Sequence, residues 1–214
     1  MNATERRILG VLIEKGLTTP EYYPLTVAAL VAGCNQKNNR DPLTHFDELL
    51  VEDTLRLLEQ KGLVLSVLPE SGRVTRWRQE LPRKLQLSVP ELAVLGELFL
   101  RGAQSEGDLR GRASRMRPID SLEALRTLLD GLRQRSPPLV LRLSPEGATR
   151  GARFTHGFAA TEQLAKWQAE DAAAATSEPT SSARPPAAAA APDLEARLAA
   201  LEERVRRLEQ SPPR

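Results

Sequence analysis

The sequence predicts a mainly helical α+β protein with small β-hairpins, in which one series of elements occurs twice. "ILGVLIEKG" at residues 8–16 resembles "VLGELFLRG" at residues 94–102. "VEDTLRLLEQKGLVLSV" at 51–67 likewise resembles "SLEALRTLLDGLRQRSPPLVLRL" at 121–143, and each changes from a helical pattern to an alternating strand pattern. After residue 160 the composition changes, which predicts a separate C-terminal part.

The helices are predicted from apolar spacing and from their start signals. In the first copy, Val51, Leu55 and Leu58 share one helical face. In the second copy the corresponding face has four leucines, Leu122, Leu125, Leu129 and Leu132. Ser88 and Glu91 have the spacing of a capping box. Asp120 and Glu123 have the same spacing but form a weaker version of this signal.

Each copy ends in two short β runs around a turn. The first, "LVLSVLPESGRVTRWRQ", turns at 69–72, and the second, "LVLRLSPEGATRGARFTH", turns at 145–147. Three helices followed by a β-hairpin are the arrangement of a winged helix, a relative of the helix-turn-helix. The sequence therefore predicts tandem winged-helix domains at residues 1–85 and 86–160.

The C-terminal part is predicted to be a linker followed by a coiled coil. Residues 161–192 begin as a helical extension and become rich in Ala, Pro and Ser, which is typical of a disordered linker. Residues 193–210 have apolar residues at alternating spacings of four and three, which predicts a coiled coil that holds a homodimer together. The alternative is one amphipathic helix packed on its own domain. The oligomerisation positions are Leu194, Leu198, Leu201, Val205 and Leu208.

Composition and charge exclude several classes of protein. The formal net charge is +2, which argues against a general polyanion binder, and a single cysteine excludes an internal disulfide. The pattern of the N-terminal residues predicts an amphipathic helix, and it lacks the layout of a signal peptide. No apolar run reaches the roughly 20 residues of a membrane span. We therefore expect a cytoplasmic protein with no membrane contact.

The repeated segments resemble a known family. "VLIEKGLTTPEYYPLTVAALVAGCNQKNNRDP" and "LSVPELAVLGELFLRGAQSEGDLR" are similar to the YceH-like family of bacterial proteins, and the resemblance covers residues 1 to about 157. It implies tandem winged-helix domains, often with a short coiled coil at the end, and it implies no activity. The chain departs from the family pattern at "LTHFDE" (43–48) and in the second hairpin, where the family has a more arginine-rich segment.

Few residues could support catalysis, so the sequence predicts a protein that is not an enzyme and has no cofactor. His45 and His156 have no partner at metal-ligand spacing, and a zinc site needs three or four ligands. Lys37, three residues after Cys34, could lower the pKa of that thiol, but a lone cysteine ending an apolar helix is typical of a buried core residue. The sequence contains no phosphate-binding loop or nucleophile elbow.

The two copies give opposite indications about nucleic-acid binding. In the first copy, "FDELLVED" (46–53) places carboxylates on the first turns of the third helix, where they would face phosphates. In the second copy, "LRGRASRMRP" (109–118) concentrates arginines in the connection between the second and third helices. "GCNQKNNRDP" (33–42) occupies the same connection in the first copy, where amide and basic side chains suit both a turn and a DNA contact.

Two functions remain open at this point. The first is a DNA-binding or transcription-associated protein that binds double-stranded DNA, and the alternative is an adaptor that binds a protein partner through the winged helices. The acidic third helix of the first copy and the net charge of only +2 favour the alternative. The candidate DNA contacts are Arg110, Arg112, Arg115, Arg117, Arg126, Arg73, Arg76, Arg78, Lys37 and Arg40.

Overall fold

The computed structural model describes residues 1–68, 73–144, 152–159 and 161–176, together with Glu203 and Arg206. Residues 1–175 form one compact unit and residues 176–214 a second. In the second unit, Glu203 and Arg206 are helical, and their charged groups lie 3.7 Å apart. The predicted linker beyond residue 176 and the five predicted coiled-coil positions lie outside the described residues. The coiled coil therefore stays a prediction.

The first half of the compact unit contains three helices and then an antiparallel hairpin, as predicted. The first helix begins at a capping box, in which the Glu5 backbone N–H donates to Asn2 and the Asn2 N–H donates to Glu5. A 3₁₀ turn at Pro20–Tyr22 precedes the second helix. The elements are α1 (Ala3–Thr18), α2 (Val27–Cys34), α3 (Glu48–Gln60), β1 (Val64–Val67) and β2 (Arg76–Gln79).

The second half repeats this order and adds short elements that the sequence pattern does not predict. A short helix, α4 (Leu81–Leu85), connects the halves. The two-residue strand β3 pairs with β5, so the second sheet has the order β3-β5-β4. The remaining elements are α5 (Val89–Arg101), β3 (Gln104–Ser105), α6 (Glu106–Ala113), α7 (Leu122–Arg133), β4 (Val140–Arg142), β5 (Arg153–His156) and α8 (Thr161–Thr176).

The first hairpin has a counterpart of strand β3, the third strand of the second sheet. Leu25 forms an antiparallel bridge with Trp77, in which each backbone N–H donates to the other residue's carbonyl. Trp77 is buried, as predicted from the alternation of β2. Helix α8 begins at Thr161, where the sequence predicts a helical extension. The two predicted hairpin turns, at 69–72 and 145–147, lie outside the described residues.

Local start signals were predicted correctly at one helix and wrongly at another. The Ser88 N–H donates to the Glu91 carboxylate at 2.8 Å, which confirms the capping box of α5. Helix α7 is capped by Ser121, whose hydroxyl accepts the Ala124 N–H at 3.0 Å, so the proposed cap at Asp120 is wrong. Leu122 is exposed because it lies in the first turn of α7, whereas Leu125, Leu129 and Leu132 are buried.

The core is continuous between the halves because α1 packs closely on α5. Gly10 and Gly96 occupy matching positions in the repeated segments "ILGVLIEKG" and "VLGELFLRG". A Cβ at Gly96 would lie 2.6 Å from a methyl group of Ile13, and a Cβ at Gly10 would lie 2.9 Å from Leu100. Only a residue without a side chain permits this approach. The division at residue 85 stays a prediction, since residues 1–175 are one compact unit.

Candidate interaction surfaces

Arg110 and Arg112 lie in the last turn of α6, and not in the connection to α7 that the sequence predicts. The Arg110 guanidinium donates to the Asp120 carbonyl at 3.2 Å. The Arg112 guanidinium donates to Gln104 at 2.8 Å and lies 3.4 Å from the Asp108 carboxylate. Both side chains therefore bind neighbouring parts of their own half.

Arg115 and Arg117 differ although they are two residues apart. The Arg115 guanidinium lies 2.6 Å from the Glu14 carboxylate and 3.1 Å from that of Glu97. Arg115 is exposed, but its positive charge is paired with two buried carboxylates. Arg117 is exposed, and it has no hydrogen bond or ion pair with the residues that the structure describes.

Arg126 is exposed on α7 but is held by a carboxylate. Its Nε and Nη2 atoms donate to the same Glu106 oxygen, at 3.1 and 2.9 Å. The hydrogen bond and charge of Glu106 raise the pKa of Arg126 above its usual value. This pairing lowers the charge that α7 offers to a phosphate.

The first hairpin has one arginine without a partner and two that are engaged. Arg73 is exposed and has no hydrogen bond or ion pair within the described ranges. Arg76 donates to the Pro24 carbonyl at 3.0 Å. The Arg78 guanidinium lies 2.9 Å from the Glu80 carboxylate. Most of the positive charge of this hairpin is therefore directed at its own half.

The segment at 35–42 is a connection between α2 and α3, as predicted, and its two basic residues have different environments. Lys37 is exposed and has no partner among the described side chains. Arg40 is buried, and it donates to Glu14 at 2.5 Å and to the Gly33 carbonyl at 2.8 Å. Asn39 has φ 61°, the left-handed conformation that asparagine tolerates in turns.

These contacts form an ionic network around two buried carboxylates, defined here as Glu14, Glu97, Arg40, Arg101 and Arg115. Both carboxylates are almost completely buried, and Glu97 lies 3.2 Å from Arg101. Burial by itself raises the pKa of Glu14, but the hydrogen bonds and charges of Arg40 and Arg115 outweigh burial, so this pKa is lowered. The network joins both halves and needs its arginines in place.

Cys34 is buried at the end of α2, which confirms the predicted core position. Burial raises the pKa of its thiol to about 12, although Arg7 and Arg40 partly oppose this. The thiolate is the nucleophilic form of cysteine, so burial and the raised pKa both disfavour reaction at Cys34 in the folded protein. Among the described residues, no three His, Cys, Asp or Glu side chains lie close enough to hold a metal ion. None of the described helices could cross a membrane.

The outward face of α3 is a surface that the sequence analysis missed. Leu49, Leu50 and Leu57 are 68%, 41% and 48% exposed. At 3.6 residues per turn the three leucines lie within about 100° around the helix, with Asp53 between them. The helix contains four carboxylates and one arginine, Arg56, which pairs with Glu52 and Asp53. The signal was present, because Leu49 and Leu50 fall outside the predicted buried stripe.

Comparison with known proteins shows the family of this chain. The family model described as "Protein of unknown function, DUF480" matches residues 1–150. A UPF0502 protein of Geotalea uraniireducens is 49% identical over 165 residues, which are 77% of this chain and 75% of the relative. Another, from Geobacter sulfurreducens, is 46% identical over 164 residues, covering 77% and 74%.

The similarity extends further along the chain in one relative. A UPF0502 protein of Mesorhizobium japonicum is 39% identical over 205 residues, which are 96% of this chain and 91% of the relative. The resemblance to an uncharacterised bacterial family is therefore confirmed. The chain belongs to the DUF480 family, whose bacterial members include the UPF0502 proteins.

Proposed function

We propose that this chain is a non-enzymatic adaptor that binds a partner protein through the outward face of α3. The observation that carries the proposal is the exposure of Leu49, Leu50 and Leu57 beside carboxylates. The repeated order of three helices and an antiparallel hairpin supports two winged-helix units, at residues 1–85 and 86–160. In such a unit the third helix is the surface that commonly meets a ligand.

The α3 face suits a protein better than it suits DNA. Leucine side chains contribute no hydrogen bond to base edges, and the carboxylates of α3 would repel phosphates. A protein partner would remove the three leucines from water, which contributes about 25 cal/mol per Å² of apolar surface buried. Exposed apolar residues grouped on one helix are typical of such docking surfaces.

The charges on α3 indicate the chemistry of the partner. Glu48 is exposed and has no ion pair among the described residues, while Arg56 is shared by Glu52 and Asp53. The surface is therefore apolar and net negative. It is complementary to an apolar segment flanked by Lys or Arg, presented by a partner protein.

The internal pairing of the candidate arginines supports the adaptor over DNA binding. Seven of the ten candidates donate to the protein's own carboxylates or carbonyls or pair with them. The seven are Arg40, Arg76, Arg78, Arg110, Arg112, Arg115 and Arg126. Phosphate binding would require most of these side chains to exchange an existing partner.

The test is affinity capture from the native host, followed by titration of the purified partner against two forms of the full chain. The double variant Leu49→Ser with Leu57→Ser should weaken binding about tenfold or more, because two apolar contacts are lost. Leu122→Ser is the matched control, since it removes an exposed leucine from the corresponding helix α7. The adaptor proposal is overturned if the partner binds the double variant and the Leu122→Ser control with equal affinity, or if no partner is captured.

Duplex DNA binding is the second candidate, and one observation favours it. Lys37 and Arg117 are exposed and unpaired among the described residues, and they lie in the corresponding connections of the two halves. Arg73 adds a third such charge. Fluorescence anisotropy with duplex DNA at two salt concentrations tests this candidate against the triple variant Lys37→Ala, Arg73→Ala and Arg117→Ala. Salt-dependent binding that the triple variant loses would favour DNA.

Self-association through residues 193–210 is part of the proposed function. In a parallel pair, Arg197 would face Glu202 of the second copy, and Arg204 would face Glu209. At about two and a half heptads the coil would be weak by itself. Deleting residues 193–214 should lower the mass measured by light scattering. An equal mass for both forms would remove the dimer from the proposal.

A further inference from the structure

A small cavity in the compact unit contains buried charges that α3 does not involve. It lies between the start of α1, the segment at 41–46, the end of α5 and helix α8, and its volume is about 220 Å³. We call it the Arg6–Trp167 cavity. The residues that matter for its chemistry are Arg6, Arg7, Phe99, His156 and Trp167, all of which line it.

Two buried arginines contribute positive charge to this cavity. Arg6 and Arg7 are only 6% and 4% exposed. Arg6 donates to the Met1 carbonyl at 2.7 Å and to the Gln163 side chain at 3.1 Å. Arg7 donates to backbone carbonyls, including that of Pro42 at 2.5 Å. All these acceptors are neutral, and neither arginine has an ion pair within the described part of the chain.

This arrangement differs from that of Arg40, the other arginine that is buried among the described residues. Arg40, which is equally buried, is paired with the Glu14 carboxylate, as a buried charge normally is. Asp41 also lines the cavity and is itself exposed to solvent. Two other carboxylates act on these arginines from outside the lining, Glu5 on Arg6 and Glu14 on Arg7. Glu5 is already paired with Lys61, and Glu14 is paired with other arginines. The two guanidiniums and one carboxylate of the lining therefore leave an excess of positive charge, which an anion would balance.

His156 is an independent indication of a ligand site. It is 2% exposed, it lines the cavity, and its Nδ1 atom has no hydrogen-bond partner among the described residues. Burial, with a contribution from Arg6, lowers the pKa of His156 to about 3, so the ring is neutral at physiological pH. A buried polar atom without a partner is rare and needs an explanation.

Aromatic rings form part of the remaining lining of the cavity. The His156 ring centroid lies 5.6 Å from that of Phe99 and 5.6 Å from that of Trp167, and the Trp167 ring meets it edge to face. Such walls favour a planar apolar group. The volume is below the roughly 300–1,000 Å³ of sites for drug-sized ligands, which excludes a nucleotide or a peptide.

We propose that the Arg6–Trp167 cavity binds a small organic monocarboxylate that carries a single ring. The carboxylate accepts hydrogen bonds from the Arg6 and Arg7 guanidiniums, and His156 donates a further one from Nδ1. The ring of the ligand packs against Phe99 and Trp167. This site is separate from the α3 surface, so the inference goes beyond the adaptor function and does not depend on it.

Benzoate is the probe, and benzamide is its neutral counterpart of the same shape. Titration calorimetry on the full chain should show saturable binding of benzoate and at least about tenfold weaker binding of benzamide, since only benzoate balances the arginine charge. Arg6→Gln should weaken benzoate binding at least about tenfold because it removes one cation. The matched control is Arg117→Gln, which removes an exposed arginine outside the cavity and should leave the affinity unchanged.

A second variant protects the test from a folding defect. Trp167→Leu keeps both arginines and removes one aromatic wall, and it should also weaken benzoate binding. Thermal unfolding of each variant establishes that it is folded. The proposal is overturned if benzoate gives no saturable heat, if benzamide binds equally well, or if folded Arg6→Gln and Trp167→Leu both retain the original affinity.

Discussion

The Glu14 carboxylate in α1 lies 2.6 Å from the Arg115 guanidinium in the connection between α6 and α7. These residues belong to different copies of the repeated series, so the contact joins the two halves. Arg40 binds the same carboxylate from the α2–α3 connection. One buried carboxylate therefore fixes both connections that the sequence analysis proposed as DNA contacts.

Loss of this carboxylate should destabilise the whole compact unit. Glu14→Gln leaves Arg40 buried without its ionic partner, and breaking a buried ion pair costs about 3–5 kcal/mol. We expect a fall of that size in the free energy of unfolding, measured by chemical denaturation. Glu21→Gln, at an exposed position in the 3₁₀ turn, is the control and should change little. Equal stability of both variants would contradict the role given to the network.

The same network predicts a dependence of stability on pH. The pKa of Glu14 is lowered from 4.5, so the unfolded chain takes up the proton first as the pH falls. The stability that Glu14 contributes is complete above pH 4.5 and is lost as the pH falls through the lowered pKa. Denaturation curves of the original chain and of Glu14→Gln should therefore converge below pH 4.5. A constant difference would show that the charge of Glu14 does not matter.

The close approach of α1 and α5 should make Gly96 sensitive to substitution. In Gly96→Ala the new methyl group would lie 2.6 Å from Ile13, and such overpacking typically costs about 1–3 kcal/mol. Gly107→Ala, in helix α6, is the matched control because its added Cβ would meet no atom within 4 Å beyond its chain neighbours and the backbone of its own helix. The control should be neutral or stabilising by up to about 1 kcal/mol, since alanine favours helix. Thermal unfolding measures the stability of both variants. A Gly107→Ala variant less stable than Gly96→Ala would contradict the close packing of α1 on α5.

His156 should make stability fall in mildly acidic solution. Its pKa is lowered from 6.5 to about 3 by burial and by Arg6, so protonation favours the unfolded chain between these values. The contribution of neutral His156 to the free energy of unfolding is complete above pH 6.5. It decreases as the pH falls, by at most about 1.4 kcal/mol per pH unit. The stability of His156→Gln should change less over this range than that of the control His45→Gln, an exposed site. Parallel curves would contradict the lowered pKa.

Cys34 should be unreactive until the protein unfolds. Its thiol is buried and has a pKa raised to about 12, so the thiolate fraction at neutral pH is very small. Under native conditions a thiol reagent such as Ellman's reagent should modify it much more slowly than it modifies free cysteine. Modification should become rapid in denaturant. Rapid modification of Cys34 in the folded protein would contradict its buried position. It would also make an activity that depends on this thiol a candidate function.

The helices and hairpins were predictable because they depend on local patterns. The apolar spacing of α3 and α7 and the alternation of β1 and β2 are properties of neighbouring residues, and the capping box at Ser88 is a signal within one turn. The strand β3 was missed because two residues carry no periodicity. Leu49 and Leu50 could have been identified by asking which leucines lie off the buried stripe.

The candidate sites were less predictable because they depend on which distant residues meet. In the sequence, Arg40, Arg115 and Arg117 look alike. Only the fold separates the two that bind Glu14 from Arg117, which has no partner among the described residues. Arg6 and Arg7 have the pattern of exposed helical residues and are nevertheless buried. The position of His156 against Trp167 depends on how α8 packs.

The sequence by itself determined the duplicated order of helices and hairpins, because hydrophobic periodicity and capping act between neighbouring residues. Only the tertiary structure decided where the charges lie. A guanidinium can bind a carboxylate, a carbonyl or solvent, and the choice depends on which groups the packing of α1 on α5 brings within hydrogen-bond distance. Glu14 is buried beside Arg40 and Arg115, whereas Leu49, Leu50 and Leu57 of α3 are exposed.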